Sequence, residues 1–442
     1  MSTASRAVAY SALMRVEEDG SYSNIALDKL LRESGLSGRD KSFCSKLFYG
    51  VLENKLLLDY NIAVLSSRPM GEIDKGLLVL LRIGMYQLFF ADSVRDAAAV
   101  NETVALCREK GFSRASGFVN GILREASRDK KLRLPDPKKG KNKYYSIKYS
   151  CPEEIIKLWR QSYGDELAVS TLEALQGRPP LCIRVNTLRT TSIELIGSLE
   201  KSGVEAVSSS RLSDCLMLKG AGAIEELAQY REGLFHVQDT ASQLCCALLA
   251  PEKGMTMLDV CAAPGGKTFT CAELMENSGR IAACDKYESR LGLLRSGGER
   301  LGIDIIEAFE GDAAKSEFID ADRVLCDVPC SGLGIIRRKP ELRYKSELGL
   351  AELPQIQYGI LSNASRFVKR GGRLLYSTCT LNPAENNENA RRFLREHRDF
   401  EPVQLTLPAG IERKYREEEN ELTLFPEKDG TDGFFISLFQ RT

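Results

Sequence analysis

Met257-Leu258-Asp259-Val260-Cys261-Ala262-Ala263-Pro264-Gly265-Gly266-Lys267-Thr268 is the stretch whose reading decides the fold. The apolar run 256–261 reads as a short, fully buried strand, and Pro264-Gly265-Gly266 imposes a tight turn before a helix beginning near Lys267. Glycine lets backbone approach a ligand closely, and the first N–H groups of the following helix have no intrahelical acceptor. Strand, glycine turn and helix in that order build a cofactor site walled by Cys261, Ala262, Ala263, Pro264, Gly265, Gly266 and Lys267.

Nineteen residues after Gly266, at the end of a second apolar run, stands Asp285. An acid at that spacing, closing the next strand, is where doubly wound folds hold a ribose diol. The site therefore expects an adenosine-type cofactor. Neither G-x-G-x-x-G nor G-x-x-x-x-G-K-[ST] is present, so a pyrophosphate cradle is missing and NAD and ATP lose their main support. S-adenosylmethionine, which carries no phosphate, fits what remains.

The run 259–268 resembles the first motif of the RNA cytosine-5 methyltransferases, a class I S-adenosylmethionine-dependent family. Three more stretches match in order: Gly311-Asp312-Ala313, Asp327-Val328-Pro329-Cys330-Ser331-Gly332, and Ser377-Thr378-Cys379-Thr380-Leu381 with Glu385-Asn386. With the amino-terminal third included, the chain is similar over nearly its full length to the bacterial 16S ribosomal RNA cytosine-5 methyltransferase B family, also called Sun or Fmu. The resemblance implies an all-α NusB-like RNA-binding domain (1–135), a basic linker with a small α+β RRM-like subdomain (136–243), and an α/β doubly wound, Rossmann-like class I methyltransferase core (244–442). It also implies that Asp312 contacts the adenine amino group and that Arg290 and Asp327 belong to the cofactor side. One departure is Gly297-Gly298 in the helix after Asp285, which predicts looser packing there.

The chemistry explains why two cysteines are needed. C5 of cytosine is too weak a nucleophile to take a methyl group, so a thiolate first adds to C6. By resemblance Cys379 is that nucleophile and Cys330 assists breakdown of the adduct. Asp327 hydrogen-bonds the base, and Lys267 lowers the thiolate pKa or orients Asp327. The other eleven cysteines read as small buried apolar residues, and His236 and His397 as surface or packing residues. A DNA-type enzyme would exchange the two cysteine roles. Two further alternatives remain: another RNA, such as tRNA, as substrate, and a non-catalytic RNA-binding ribosome assembly factor.

Composition sets outer limits. The 442 residues hold 61 basic and 61 acidic side chains, so any RNA footprint is a local patch. No apolar run reaches the roughly 18 residues of a membrane span, and the start lacks a secretory apolar region, so a cytoplasmic protein without membrane partners is expected. Thirteen scattered cysteines with no C-x-x-C and only two histidines argue for reduced thiols and no metal site. The expected partner is 16S ribosomal RNA, unassembled or in a partly assembled small subunit, bound by a monomer.

Along the chain, helical apolar faces run from residue 2 to about 127. Val100-Asn101-Glu102-Thr103-Val104 and 117–124 resemble the NusB-type RNA-binding domain, while the pattern alone fits a packing module equally well. Residues 130–148 carry eight basic side chains against the single acid Asp136, with Tyr144-Tyr145 among them. That composition suits RNA phosphates and bases and equally suits a solvated linker. A helix at 152–163 is expected to open the small subdomain, whose elements at 181–186, 192–201, 205–208, 215–218, 224–230 and 234–238 follow a βαββαβ order. Lacking RNP-type aromatics, its expected role is packing against the catalytic domain. Core strands are expected at 256–261, 280–285, 305–310, 323–327 and 372–377, with a late pair near 403–407 and 433–439. Arg337-Arg338-Lys339-Pro340-Glu341 is expected to touch RNA phosphate, with a solvated charge run as the competing view.

Overall fold

The computed structural model describes residues 3–177, 179–344, 350–426 and 430–442. The chain divides into two compact units, Met1–Arg178 with Ile336–Ser346, and Pro179–Ile335 with Glu347–Thr442.

In the first unit the apolar faces become α1 (Thr3–Asp19), α2 (Ser23–Glu33), α3 (Gly38–Glu53), α4 (Lys55–Leu65), α5 (Lys75–Phe90), α6 (Asp96–Glu109) and α7 (Ser116–Asp129). Asp74 caps α5 by accepting from the amides of Gly76 and Leu77. Apolar around most of its circumference, α5 is buried among α1, α3, α4, α6 and α7. The sequence reading had not resolved α4, whose run Leu56-Leu57-Leu58 shows no clear polar face.

This unit continues beyond 135. Helices α8 (Lys141–Tyr149), α9 (Glu153–Tyr163) and α10 (Asp165–Ala174) all belong to it. The helix expected to open the small subdomain is α9, and it packs on α8 and α10 with Trp159 buried. Residues 141–148 of the basic run are thus helix, while Lys138, Lys139, Lys141 and Lys143 stay exposed. The segment 336–344 is also built into this unit. The amide of Ser23 donates to Glu341 Oε1 at 3.0 Å, and Arg343 donates to the carbonyls of Ser150 (3.2 Å) and Glu53 (3.4 Å). These side chains satisfy helix-end groups that lack intrahelical partners. Arg337 is buried as well, while Arg338 and Lys339 are half-buried, so a fully solvated run does not describe this stretch.

In the second unit β1 (Leu181–Val185), α11 (Ser192–Lys201), β2 (Glu205–Ser208), β3 (Cys215–Lys219), α12 (Ala228–Arg231) and β4 (Phe235–Val237) form an antiparallel sheet in the order β2-β3-β1-β4. That is the split βαβ arrangement the spacing predicts, with its second helix cut to one turn. Thr191 and Glu194 close a capping box that fixes where α11 begins. The subdomain packs on the larger sheet through Arg300, which donates to the carbonyls of Tyr230 (2.7 Å) and Phe235 (3.0 Å), and through the buried Arg184–Glu273 pair at 3.0 Å.

The larger sheet follows α13 (Thr240–Leu249). Its elements are β5 (Thr256–Asp259), α14 (Gly266–Leu274), β6 (Arg280–Asp285), α15 (Glu288–Leu301), β7 (Ile306–Glu310), β8 (Ala321–Asp327), α16 (Leu353–Ser365), β9 (Val368–Thr378), α17 (Asn387–Glu396), β10 (Phe400–Pro402), β11 (Glu421–Leu424) and β12 (Phe434–Arg441). The order β10-β12-β9-β8-β5-β6-β7 has parallel neighbours from β9 to β7, while β12 runs antiparallel and also pairs with β11. Neighbouring residues within a strand enter different cores: Met257, Ile281 and Leu325 on one side, Leu258, Ala282 and Val324 on the other. A sheet covered on both faces explains the uninterrupted apolar runs. The late strand lies at Phe400–Pro402 rather than 403–407, and β11 is an addition.

The expected looseness at Gly297-Gly298 is overturned. A Cβ at Gly297 would lie 2.5 Å from the Phe269 ring, and one at Gly265 2.3 Å from it, so both glycines make room for that side chain. Burying Phe269 contributes about 1.5–3 kcal/mol, which offsets the roughly 1 kcal/mol of helix propensity lost at Gly297.

Candidate active site

Asp259, Asp285 and Asp327 end β5, β6 and β8, Cys379 follows the end of β9, and Asp312 lies just past β7. The sheet therefore delivers all five to its carboxyl edge, where a doubly wound fold opens its crevice. A cavity of about 250 Å³ lies there. Cys261, Ala262, Ala263, Pro264, Gly266 and Lys267 form one wall, with Asp259 and Asp327 beside them. The opposite wall is Val237, Gln238, Asp239 and Ser242, from the end of β4 and the start of α13. That wall was not anticipated as part of the site. Its signal was a polar Gln-Asp pair between a strand and a helix, where Asp239 caps α13 by accepting from the Ala241 amide.

The acids are held in distinct ways. Asp285 accepts from the amides of Ala263 and Tyr287, each at 3.2 Å, and pairs with Arg290 at 3.0 Å. Arg290 also donates to the Ala263 carbonyl, so this pair anchors the glycine turn. Asp285 and Asp312 stand outside the cavity lining. Asp312 accepts from the Ala314 amide at 3.0 Å, with Lys286 3.8 Å away. Asp259 accepts from Thr268 Oγ1 at 2.8 Å and from the Cys261 amide at 3.3 Å. Burial pushes its carboxyl up to about 7.

Lys267 Nζ donates to Asp327 Oδ2 at 2.7 Å, and Ser377 Oγ donates to Oδ1 at 2.8 Å. Burial alone would lower the Lys267 pKa, but the attraction of Asp327 and of the neighbouring Cys245 holds it above the ordinary lysine value. The lysine is therefore a fixed cation that orients Asp327.

Cys330 Sγ and Cys379 Sγ lie 3.3 Å apart. The shared hydrogen bond with Cys379, burial and the charge of Glu385 push the Cys330 thiol well up. All thirteen cysteines are free, and the ten outside this region are buried; Cys261, Cys330 and Cys379 are the only ones with partial exposure. His236 is a buried packing residue, edge-on to Phe269, and His397 stacks on Phe393. Among the described residues no group of three or more His, Cys, Asp and Glu side chains could hold a metal ion, and no helix is long and apolar enough to cross a membrane.

A parallel sheet with acids at its carboxyl edge, a glycine turn opening α14 and a paired-cysteine crevice together define a methyltransferase-type α/β domain. Sequence comparison divides the chain in three, and its ferredoxin-like match opens at α9, as the sequence predicts for the small subdomain, although α9 packs in the first compact unit. Residues 3–128 match the NusB family, 151–225 the RsmF/B-like ferredoxin-like domain, and 246–440 the 16S rRNA methyltransferase RsmB/F. The chain is 34% identical to the "Probable ribosomal RNA small subunit methyltransferase B" of Bacillus subtilis (strain 168), covering 98% of each chain. It is 37% identical to the protein of the same description from Synechocystis sp., again covering 98% of each. A crystal structure of PH0851 superposes with a TM-score of 0.85 at 29% identity, covering 100% of this chain and 99% of that one. The chain belongs to the RsmB/F family of 16S rRNA methyltransferases and is an RNA methyltransferase.

Proposed function

We propose that the protein methylates C5 of a cytosine in 16S ribosomal RNA through a covalent adduct at C6, with Cys379 as nucleophile. The observation that carries this reading is the 3.3 Å approach of Cys330 and Cys379 beside the Lys267–Asp327 pair. S-adenosylmethionine, when bound, supplies an electrophilic sulfonium methyl group. The residues present suit it: the cavity offers a backbone-lined wall with no phosphate loop, and its far wall carries Gln238, whose buried Nε2 has no protein partner. An unpaired buried donor of that kind favours a ligand acceptor.

Asp327, held by Lys267 and Ser377, is oriented to accept a hydrogen bond from the cytosine amino group and so to hold the base in place as the thiolate adds. Cys379 Sγ forms the bond to C6. Cys330, its thiol raised by the shared hydrogen bond with Cys379 and by burial, holds its proton while the adduct forms. After methylation the C5 proton is removed, the C5–C6 double bond re-forms, and the S–C6 bond breaks, a stage Cys330 assists.

The test uses labelled 16S RNA with S-adenosylmethionine on a denaturing gel. Cys379→Ala is expected to be inactive with no protein–RNA adduct, whereas Cys330→Ala accumulates one. An adduct with Cys379→Ala and none with Cys330→Ala would sink the assignment in favour of a DNA-type mechanism.

A further inference from the structure

We propose that Glu385 is the positioning residue that keeps Cys330 and Cys379 in register. Its catalytic consequence rests on the cysteine roles proposed above; its structural claim does not. Glu385 is fully buried and accepts four hydrogen bonds from neutral donors. Oε2 takes the Ser331 amide at 2.9 Å and Gln357 Nε2 at 2.8 Å; Oε1 takes Ser331 Oγ at 2.5 Å and Asn382 Nδ2 at 2.9 Å. Two donors on each oxygen fill the four acceptor positions of a carboxylate.

The donors come from the two loops that carry the thiols. Ser331 follows Cys330 directly, and Gln357 Nε2 also donates to the carbonyl of Pro329, so the residues on both sides of Cys330 are tied to one point. Asn382 lies three residues beyond Cys379, and Thr380, next to Cys379, hydrogen-bonds Ser331 at 2.7 Å. The loops also touch through backbone, where the Gly334 amide donates to the Cys379 carbonyl at 3.0 Å. A glutamine in place of Glu385 has the same shape but one acceptor oxygen, and its NH₂ would face donors. Glu385→Gln therefore breaks about half of the clamp while leaving the cofactor wall untouched.

Diamide oxidation of the full-length protein measures the register directly. Two thiols give up two protons and two electrons to diamide, which is reduced to its hydrazine, and a Cys330–Cys379 disulfide forms. Peptide mass mapping follows its rate. Glu385→Gln is expected to slow it about ten-fold or more, with S-adenosylmethionine affinity within two-fold of wild type, a split that general unfolding would not produce. Ser331→Ala, which removes the Oγ bonds to Glu385 and Thr380, is expected to slow it several-fold and carries the test if Glu385→Gln does not fold. An unchanged oxidation rate in a folded variant overturns the clamp. In turnover, Glu385→Gln is expected to accumulate the RNA adduct as Cys330→Ala does. If Cys330→Ala accumulates none, the role given to Cys330 fails, and the oxidation rate still judges Glu385.

Discussion

Replacing Asp285 by alanine tests whether the carboxylate at the end of β6 holds the cofactor. A carboxylate has about four acceptor positions. In Asp285 the Ala263 amide, the Tyr287 amide and Arg290 occupy three of them. One is left for a ribose hydroxyl, and a second opens if the half-exposed Arg290 side chain moves aside. A hydrogen bond to a charged group contributes about 1.5–3 kcal/mol, so Asp285→Ala is expected to raise the S-adenosylmethionine Kd about ten- to one-hundred-fold. Loss of the Ala263 anchor adds to this by freeing the turn that forms the opposite side of the pocket. Asp285→Asn, which keeps one acceptor oxygen, is expected to fall between. Isothermal titration calorimetry measures both, with thermal melts confirming the fold. Affinities within two-fold of wild type for both variants would refute the argument.

Two further outcomes follow from the geometry. The Asp259 carboxyl, held up to about 7 from 3.8 by burial, keeps its proton in the folded state while the unfolded chain has lost it. The stability this contributes is full below about pH 4 and is lost as pH rises to about 7, by up to about 4 kcal/mol; Asp259→Asn should flatten that window in urea titrations, and parallel curves for the two proteins would count against it. Replacing the exposed Lys138, Lys139, Lys141 and Lys143 with glutamine is expected to weaken RNA binding and make its salt dependence shallower by about 0.7 per lost phosphate contact, whereas an identical slope returns the run to a solvated surface.

Local signals carried the strand ends and the turn at the sheet's carboxyl edge. A strand, its terminal acid and the turn after it lie within a dozen residues, so Asp259, the glycine turn and Asp285 could be placed from order and spacing alone. What the sequence hid depends on long-range partners. The charged run at 337–341 reads as an RNA-phosphate contact or a solvated face because its partners, such as the Ser23 amide, lie some three hundred positions away. Gly297 read as a defect because nothing near it in sequence names Phe269 as its neighbour. Glu385 was visible as part of a motif, but its four donors come from 331, 357 and 382, and no spacing rule joins those positions.

The cysteines show how fold and motif combine to narrow a choice neither makes alone. A nucleophilic thiol needs access to substrate and a thiolate that is not penalised by its surroundings. Access removes ten of thirteen, leaving Cys261, Cys330 and Cys379. Burial pushes the Cys261 thiol well up, with the carboxylates of Asp259, Asp327 and Asp285 adding to it. Cys330 is raised by its bond to Cys379, by burial and by Glu385. Acids at strand ends and in the loop clamp add to both shifts, behind burial at Cys261 and behind the bond to Cys379 and burial at Cys330. Cys379 follows the strand whose Ser377 steadies Asp327. Access and this placement narrow the thirteen cysteines to three, and the motif singles out Cys379 among them.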